Sequence, residues 1–239
     1  MKYVVAVIVS TLLVSSCQKA PVTPPPQPAA TPATLIPAPK PIVTHHILVV
    51  GDSLTEGSGE GGGGYTGWPA LVWPTLTSSV GIVLPVLAGE GASGYVHPGL
   101  SGTTFGERAA KYITPDDELV VFFGSTNDSV ASPGELASAV RDTFTKTKAA
   151  APAAKLLVIG PVATSPNPPP EIARIPGILR DEAQAVGAQF VDPIAEGWLA
   201  TNPEMIGSDG VHPNDAGEHY LADRIGPLIR DALQQSGVG

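Results

Sequence analysis

The 239-residue chain has one cysteine, Cys17, so neither an intrachain disulfide nor a cysteine-based zinc site is open to it. Basic residues are scarce, with 13 Lys and Arg against 22 Asp and Glu. The three charges before residue 45 are all basic, which leaves residues 45–239 with 10 basic and 22 acidic side chains, a net of −12. Polyanion binding needs a basic face, so nucleic acid is excluded as a partner. Aromatic residues are only 5% of the chain and offer no clear stacking platform for sugars. The one long apolar run, at the N-terminus, is about a dozen residues where a membrane span needs ~20, so no permanent transmembrane helix is expected. No Gly-x-Ser-x-Gly elbow occurs, which argues against the α/β-hydrolase arrangement. The five histidines show neither His-x-His nor His-Glu-x-x-His spacing, so no metal site is expected.

What is present begins with Lys2, the apolar run, and Val14-Ser15-Ser16-Cys17. This resembles a bacterial lipoprotein signal, in which small residues precede a cysteine that is diacylglycerated and becomes the new N-terminus. The resemblance implies a signal peptide over residues 1–16, lipidation at Cys17 and an extracytoplasmic protein held to a bacterial membrane. From Pro21 to Pro41, nine of 21 residues are proline and only Lys40 is charged. No hydrophobic periodicity is left there for a core. Residues 17–44 therefore read as a tether, and in polyproline II geometry it would reach roughly 80 Å at ~3.1 Å per residue.

Residues 45–239 alternate short apolar runs with helical patterns. Strands are expected near residues 46–51, 80–87, 118–124, 155–160 and 188–192. Helices are expected near 66–79, 101–113, 134–150, 171–186 and 215–235, the last with Asn214 as N-cap and Leu221, Ile225, Leu228, Ile229 and Leu233 on one stripe. Apolar strands separated by helices indicate a mostly parallel sheet of about five strands covered on both faces, a three-layer α/β/α sandwich. In such sheets ligands bind at the carboxyl ends of the strands, so the residues that follow each strand are the informative ones.

Those residues are Gly51-Asp52-Ser53-Leu54 after the first strand, Gly89-Glu90-Gly91-Ala92-Ser93-Gly94 after the second, and Gly124-Ser125-Thr126-Asn127-Asp128 after the third. Asp209-Gly210-Val211-His212 precedes the final helix. Singly, each is ordinary turn chemistry. Together and in this order they resemble the blocks of the SGNH hydrolases, the GDSL esterase and lipase family, across essentially the whole globular part. The second block departs from the family pattern, because Gly89 stands where asparagine is usual. The resemblance implies a carboxylic ester hydrolase with Ser53 as nucleophile, His212 as base oriented by Asp209, and oxyanion donors from Ser53, Gly94 and Asn127, with Gly91 as the competing glycine.

The chemistry also follows from the residue types. Ester hydrolysis near neutral pH needs a hydroxyl nucleophile, a base for its proton, and donors for the charge on the carbonyl oxygen. Ser53 stands where a strand ends and a helix begins, and Asp209 lies three residues before His212 on one loop, within reach of its Nδ1. An asparagine suits a donor role that a carboxylate cannot fill. Asp52 and Asp128 read as turn-holding residues, and Trp68, Trp73 and Trp198 as core. Two Gly-x-Gly-x-x-Gly matches lack the acidic residue a dinucleotide site wants about 20 positions on. The run from Gly57 to Gly64 is a lid beside Ser53 or a mere connection. The expected partners are an acyl-ester substrate and, through Cys17, a membrane; the oligomeric state is open, with a monomer expected. Two other readings keep the same fold: a glycan-binding lipoprotein without catalysis, and an acyltransferase acting on a sugar hydroxyl.

Overall fold

The computed structural model describes residues 43–235; Cys17, the signal segment and nearly all of the tether lie outside the described residues. Five strands, β1 (Thr44–Gly51), β2 (Ile82–Gly89), β3 (Leu119–Phe123), β4 (Lys155–Ile159) and β5 (Gln189–Val191), form one sheet in the order β2-β1-β3-β4-β5. Every neighbouring pair is parallel. Around it lie α1 (Ser53–Glu56), α2 (Trp68–Leu76), α3 (Phe105–Tyr112), α4 (Pro133–Ala150), α5 (Pro170–Ala173), α6 (Ile175–Ala185) and α7 (Asp215–Gln234).

Alternate side chains of the central strands face opposite layers. Ile47, Val49, Val121, Phe123, Leu157 and Ile159 pack with Trp68 and Val72 of α2 and with Leu221, Ile225, Ile229 and Leu233 of α7. Leu48, Val50, Val120, Phe122, Leu156 and Val158 meet Phe105 of α3, Val140 and Phe144 of α4, and Leu179 of α6. Each of the four α7 anchors is essentially inaccessible, a burial worth roughly 1.5–3 kcal/mol per side chain. The helix starts where Asn214 accepts from the N–H groups of Ala216 and Gly217 at 3.0 and 3.2 Å. Trp68 and Trp198 are core residues.

Three expectations are corrected. The strand β2 is not covered on both faces, since Ile82, Leu84, Val86 and Leu87 stay 41–47% exposed. It is an edge strand, and Pro85 within it is the sequence signal, because proline cannot donate to a ladder. The helix expected over 171–186 is broken into α5 and α6 at Arg174, just before Pro176. The helix expected from 101 begins at Phe105, where Thr104 and Glu107 form a reciprocal capping box.

Register sets up the site. Gly51 is level with Gly89 of β2 on one side and Phe123 of β3 on the other. The chain leaves these three strands at the same height. Because the strand order reverses at β1, the crevice there is the place where a parallel sheet offers room for a ligand.

Candidate active site

Asp52 follows β1 and caps α1, its Oδ1 accepting the Leu54 N–H at 3.0 Å. Burial pushes its carboxyl up to about 6, against the Leu54 N–H bond that favours the charge. The cap places Ser53 as the first residue of the helix, with no intrahelical acceptor for its N–H. Ser53 Oγ lies 2.9 Å from His212 Nε2, and His212 Nδ1 lies 2.6 Å from Asp209 Oδ2. The other Asp209 oxygen accepts from the N–H groups of Val211 and His212 at 2.8 and 2.9 Å. The hydrogen bond to His212, then those backbone N–H groups, hold the Asp209 carboxyl down at about 2, so it is ionised. A carboxylate can only accept, so Nδ1 carries the imidazole proton and Nε2 is free to accept from the Ser53 hydroxyl.

The loops after β2 and β3 close the other side. Asn127 lines the cleft, and its amide donates one hydrogen to the Ser93 carbonyl at 2.9 Å, leaving a second on the same nitrogen. Gly94 does not fit the donor role expected of it. Its N–H is committed to the His97 carbonyl at 2.8 Å, and a Cβ there would come within 2.5 Å of the Asp128 carboxylate. What the position requires is therefore close packing on Asp128. The N–H of Gly91, the competing glycine, donates to Glu56 Oε2 at 2.5 Å. Between them, Ala92 lines the cleft with a positive φ of 63°, and its N–H has no hydrogen-bond partner among the described residues. Such backbone costs ~1–3 kcal/mol for a non-glycine residue and persists only where its surroundings hold it. Here the His97 ring Nδ1 lies 2.9 Å from the Ala92 carbonyl, and Asp128 accepts from the N–H groups of Tyr95, Val96 and His97 at 2.8, 2.9 and 2.9 Å.

Other charged residues, silent in the sequence, brace these loops. Buried Glu90 pairs with Arg108 at 2.7 Å and accepts from Thr103 and the Ser101 N–H. Burial opposes its charge, yet these bonds hold its carboxyl below the ordinary range. Glu60, inside the glycine run, accepts from the Ser208 N–H at 2.7 Å and from its hydroxyl at 2.8 Å, tying that run to the loop that carries Asp209. Gly62 packs on the Glu218 carboxylate, so the segment from Gly57 to Gly64 is tied to α7 as well as to that loop.

Ser53, His212, Asn127, Gly91 and Ala92 share an open cleft of about 370 Å³ with Leu100 at its rim. A larger cavity, about 550 Å³, lies between α2 and α7 and contains none of them. Among the described residues no group of three or more His, Cys, Asp or Glu side chains is placed to hold a metal ion. The arrangement has the parts for acyl transfer from an ester: a hydroxyl with a base, an ionised group behind the base, and the N–H groups of Ser53 and Ala92, which have no hydrogen-bond partner among the described residues.

Comparison with known proteins agrees with this geometry. A protein of Mycobacterium tuberculosis described as GDSL lipase Rv0518 is 47% identical over 186 residues, covering 77% of this chain and 80% of that one. The fold is similar to that of TesA, with a TM-score of 0.65 at 23% identity over 79% of this chain and 99% of that structure. It is also similar to a family two carbohydrate esterase from Clostridium thermocellum solved with cellohexaose, with a TM-score of 0.63 at 17% identity over 83% of this chain and 67% of that one. With the model of the GDSL-like lipase/acylhydrolase family matching residues 49–220, the chain belongs to that family, the SGNH type of carboxylic ester hydrolase.

Proposed function

We propose that this protein hydrolyses carboxylic esters at the bacterial cell envelope through an acyl-enzyme on Ser53. The observation that carries the reading is the continuous hydrogen-bonded chain from Ser53 through His212 to ionised Asp209, at 2.9 and 2.6 Å, facing the cleft. As Ser53 Oγ forms its bond to the carbonyl carbon, its proton passes to His212 Nε2, and the imidazolium is stabilised by Asp209. The charge on the carbonyl oxygen is met by the N–H groups of Ser53 and Ala92 and by the Asn127 amide. Collapse breaks the bond to the alcohol oxygen, which takes the proton from His212. Water, deprotonated in turn by His212, then bonds to the acyl carbon; the bond to Ser53 Oγ breaks, Oγ takes the proton back from His212, and the acid leaves. Asp52 and Asp128 stay with the backbone turns they hold.

A fluorophosphonate probe should label Ser53, and Ser53→Ala should lose both labelling and ester turnover. Labelling at another residue, or full turnover by the variant, would sink the assignment. Location rests on residues 1–44 alone: a diacylglyceryl group on Cys17 supplies the two chains that stable anchoring takes. Cys17→Ser should block lipid attachment in a bacterial host, and a protein beginning at Thr44 should leave the membrane and keep its esterase activity. Absence of labelled fatty acid on wild-type Cys17 would replace anchoring by simple secretion.

A further inference from the structure

Beside the cleft lies a second cavity of about 230 Å³. It is walled by Leu54 next to Ser53, Thr126 next to Asn127, and Val211 next to His212, and all three of these residues also line the cleft. Its far side is built from Val162 and Ala163 after β4, Ile172 of α5, and Leu199. In a domain so rich in acidic residues, not one lining residue is ionisable and none is aromatic. The Thr164 hydroxyl on its wall is already bonded to the Gly210 carbonyl at 3.2 Å. Val211, which lines both spaces, is 56% exposed, and Leu100, which lines the cleft alone, is 84% exposed, so the apolar character extends into the cleft.

A sugar would find no stacking face here and few free hydrogen-bonding groups, and an acetyl group would leave most of the space unfilled. We infer that the cavity binds an unbranched alkyl chain of the ester, which makes esters that carry a medium-length alkyl chain, and not short esters such as ethyl acetate, the preferred substrates. The inference rests on the proposed Ser53 chemistry for its link to turnover, and on the cavity alone for binding. At interior packing density, about 0.75, a methylene takes up roughly 27 Å³, so a space of about 230 Å³ accommodates about eight of them. Burial of each is worth up to ~0.8 kcal/mol, which converts to as much as about fourfold in affinity or in kcat/KM.

The chain could belong to the acid or to the alcohol half, and two series measured on the full-length protein separate them: p-nitrophenyl esters of unbranched acids from acetate to dodecanoate, and acetates of unbranched alcohols from ethanol to dodecanol. In one series kcat/KM should climb by up to about fourfold per methylene to about eight carbons and then flatten. Ile172→Trp and Ala163→Leu, two independent ways of filling the space, should move the break to shorter chains. A profile that is flat or falling in both series overturns the inference, as does an unshifted break in either variant that melts like the wild type. Should no ester be turned over at all, the Ser53 reading fails and binding decides separately. Calorimetry on Ser53→Ala should then find p-nitrophenyl octanoate bound at least tenfold more tightly than p-nitrophenyl acetate, and equal affinities would overturn the cavity's assignment.

Discussion

Glu218 offers a test of how the site is held together. It lies in the first turn of α7, is 1% exposed, and accepts the Trp68 N–H at 2.8 Å, which ties the start of α2 to α7. Gly62 of the glycine run packs directly on its carboxylate. Burial first, and then repulsion from Asp215, push that carboxyl from 4.5 up to about 7, against the bond from Trp68 that favours the charge. A carboxyl raised in this way contributes its full stability below its unfolded value and loses it as pH rises through the folded one. The span from 4.5 to about 7, at ~1.36 kcal/mol per pH unit, corresponds to about 3 kcal/mol. Glu218→Gln keeps a carbonyl for the Trp68 N–H but has nothing to ionise. The wild type should therefore lose about 3 kcal/mol relative to the variant between about pH 4.5 and 7, with little relative change on either side. For a domain of this size that is a change of roughly 6–12 °C in the difference between the two melting temperatures. Paired urea and thermal denaturation of both proteins from pH 4 to 8 measures it. Asp52 titrates in both and cancels in the difference. Stability curves that stay parallel across the window would refute the reasoning, as would a variant that loses stability relative to the wild type with rising pH.

Two further perturbations act on the chemistry. Asn127→Ala removes one donor to the developing oxyanion and should lower kcat by ~10²- to 10³-fold with KM nearly unchanged, measured by steady-state kinetics on a p-nitrophenyl ester; an unchanged kcat with a raised KM would make Asn127 a ground-state binding residue. Glu60→Ala frees Ser208, one residue before Asp209, so kcat should fall by about tenfold and Glu60→Gln should recover part of it, since a 1 Å misplacement costs up to ~10²-fold. Equal kcat for Glu60→Ala and wild type would leave that contact structural only.

The layers of the fold were legible because helix and strand periods are local properties. The apolar runs ending at Gly51, Gly89 and Gly124, and the stripe from Leu221 to Leu233, carry the sheet and its last helix without reference to anything distant. Ser53, Asn127, Asp209 and His212 were legible for a related reason: each sits at an element boundary where turn chemistry and reactive groups coincide in short blocks. The edge position of β2 could have been read from Pro85. The break between α5 and α6 is marked by Pro176, yet a proline near a helix start is compatible with either outcome.

Which backbone N–H faces the cleft was not legible. Gly91 and Gly94 carry the sequence signal, but hydrogen bonding is a competition settled in three dimensions. Glu56, 35 residues before Gly91, takes the first N–H, the His97 carbonyl takes the second, and Ala92 is left with the free one. The same holds for Glu60 on Ser208, 148 residues apart, and for Glu218 beneath Gly62. A charged residue on a loop looks alike in sequence whether it is solvated or braces a distant turn. The apolar cavity joins side chains that follow β1, β3 and β4 with Val211 beside His212, so its lack of ionisable groups exists only once parallel register has brought those loops together. Local pattern thus determined the elements and the reactive side chains. Tertiary packing decided which polar groups are already satisfied, and so which remain for a substrate.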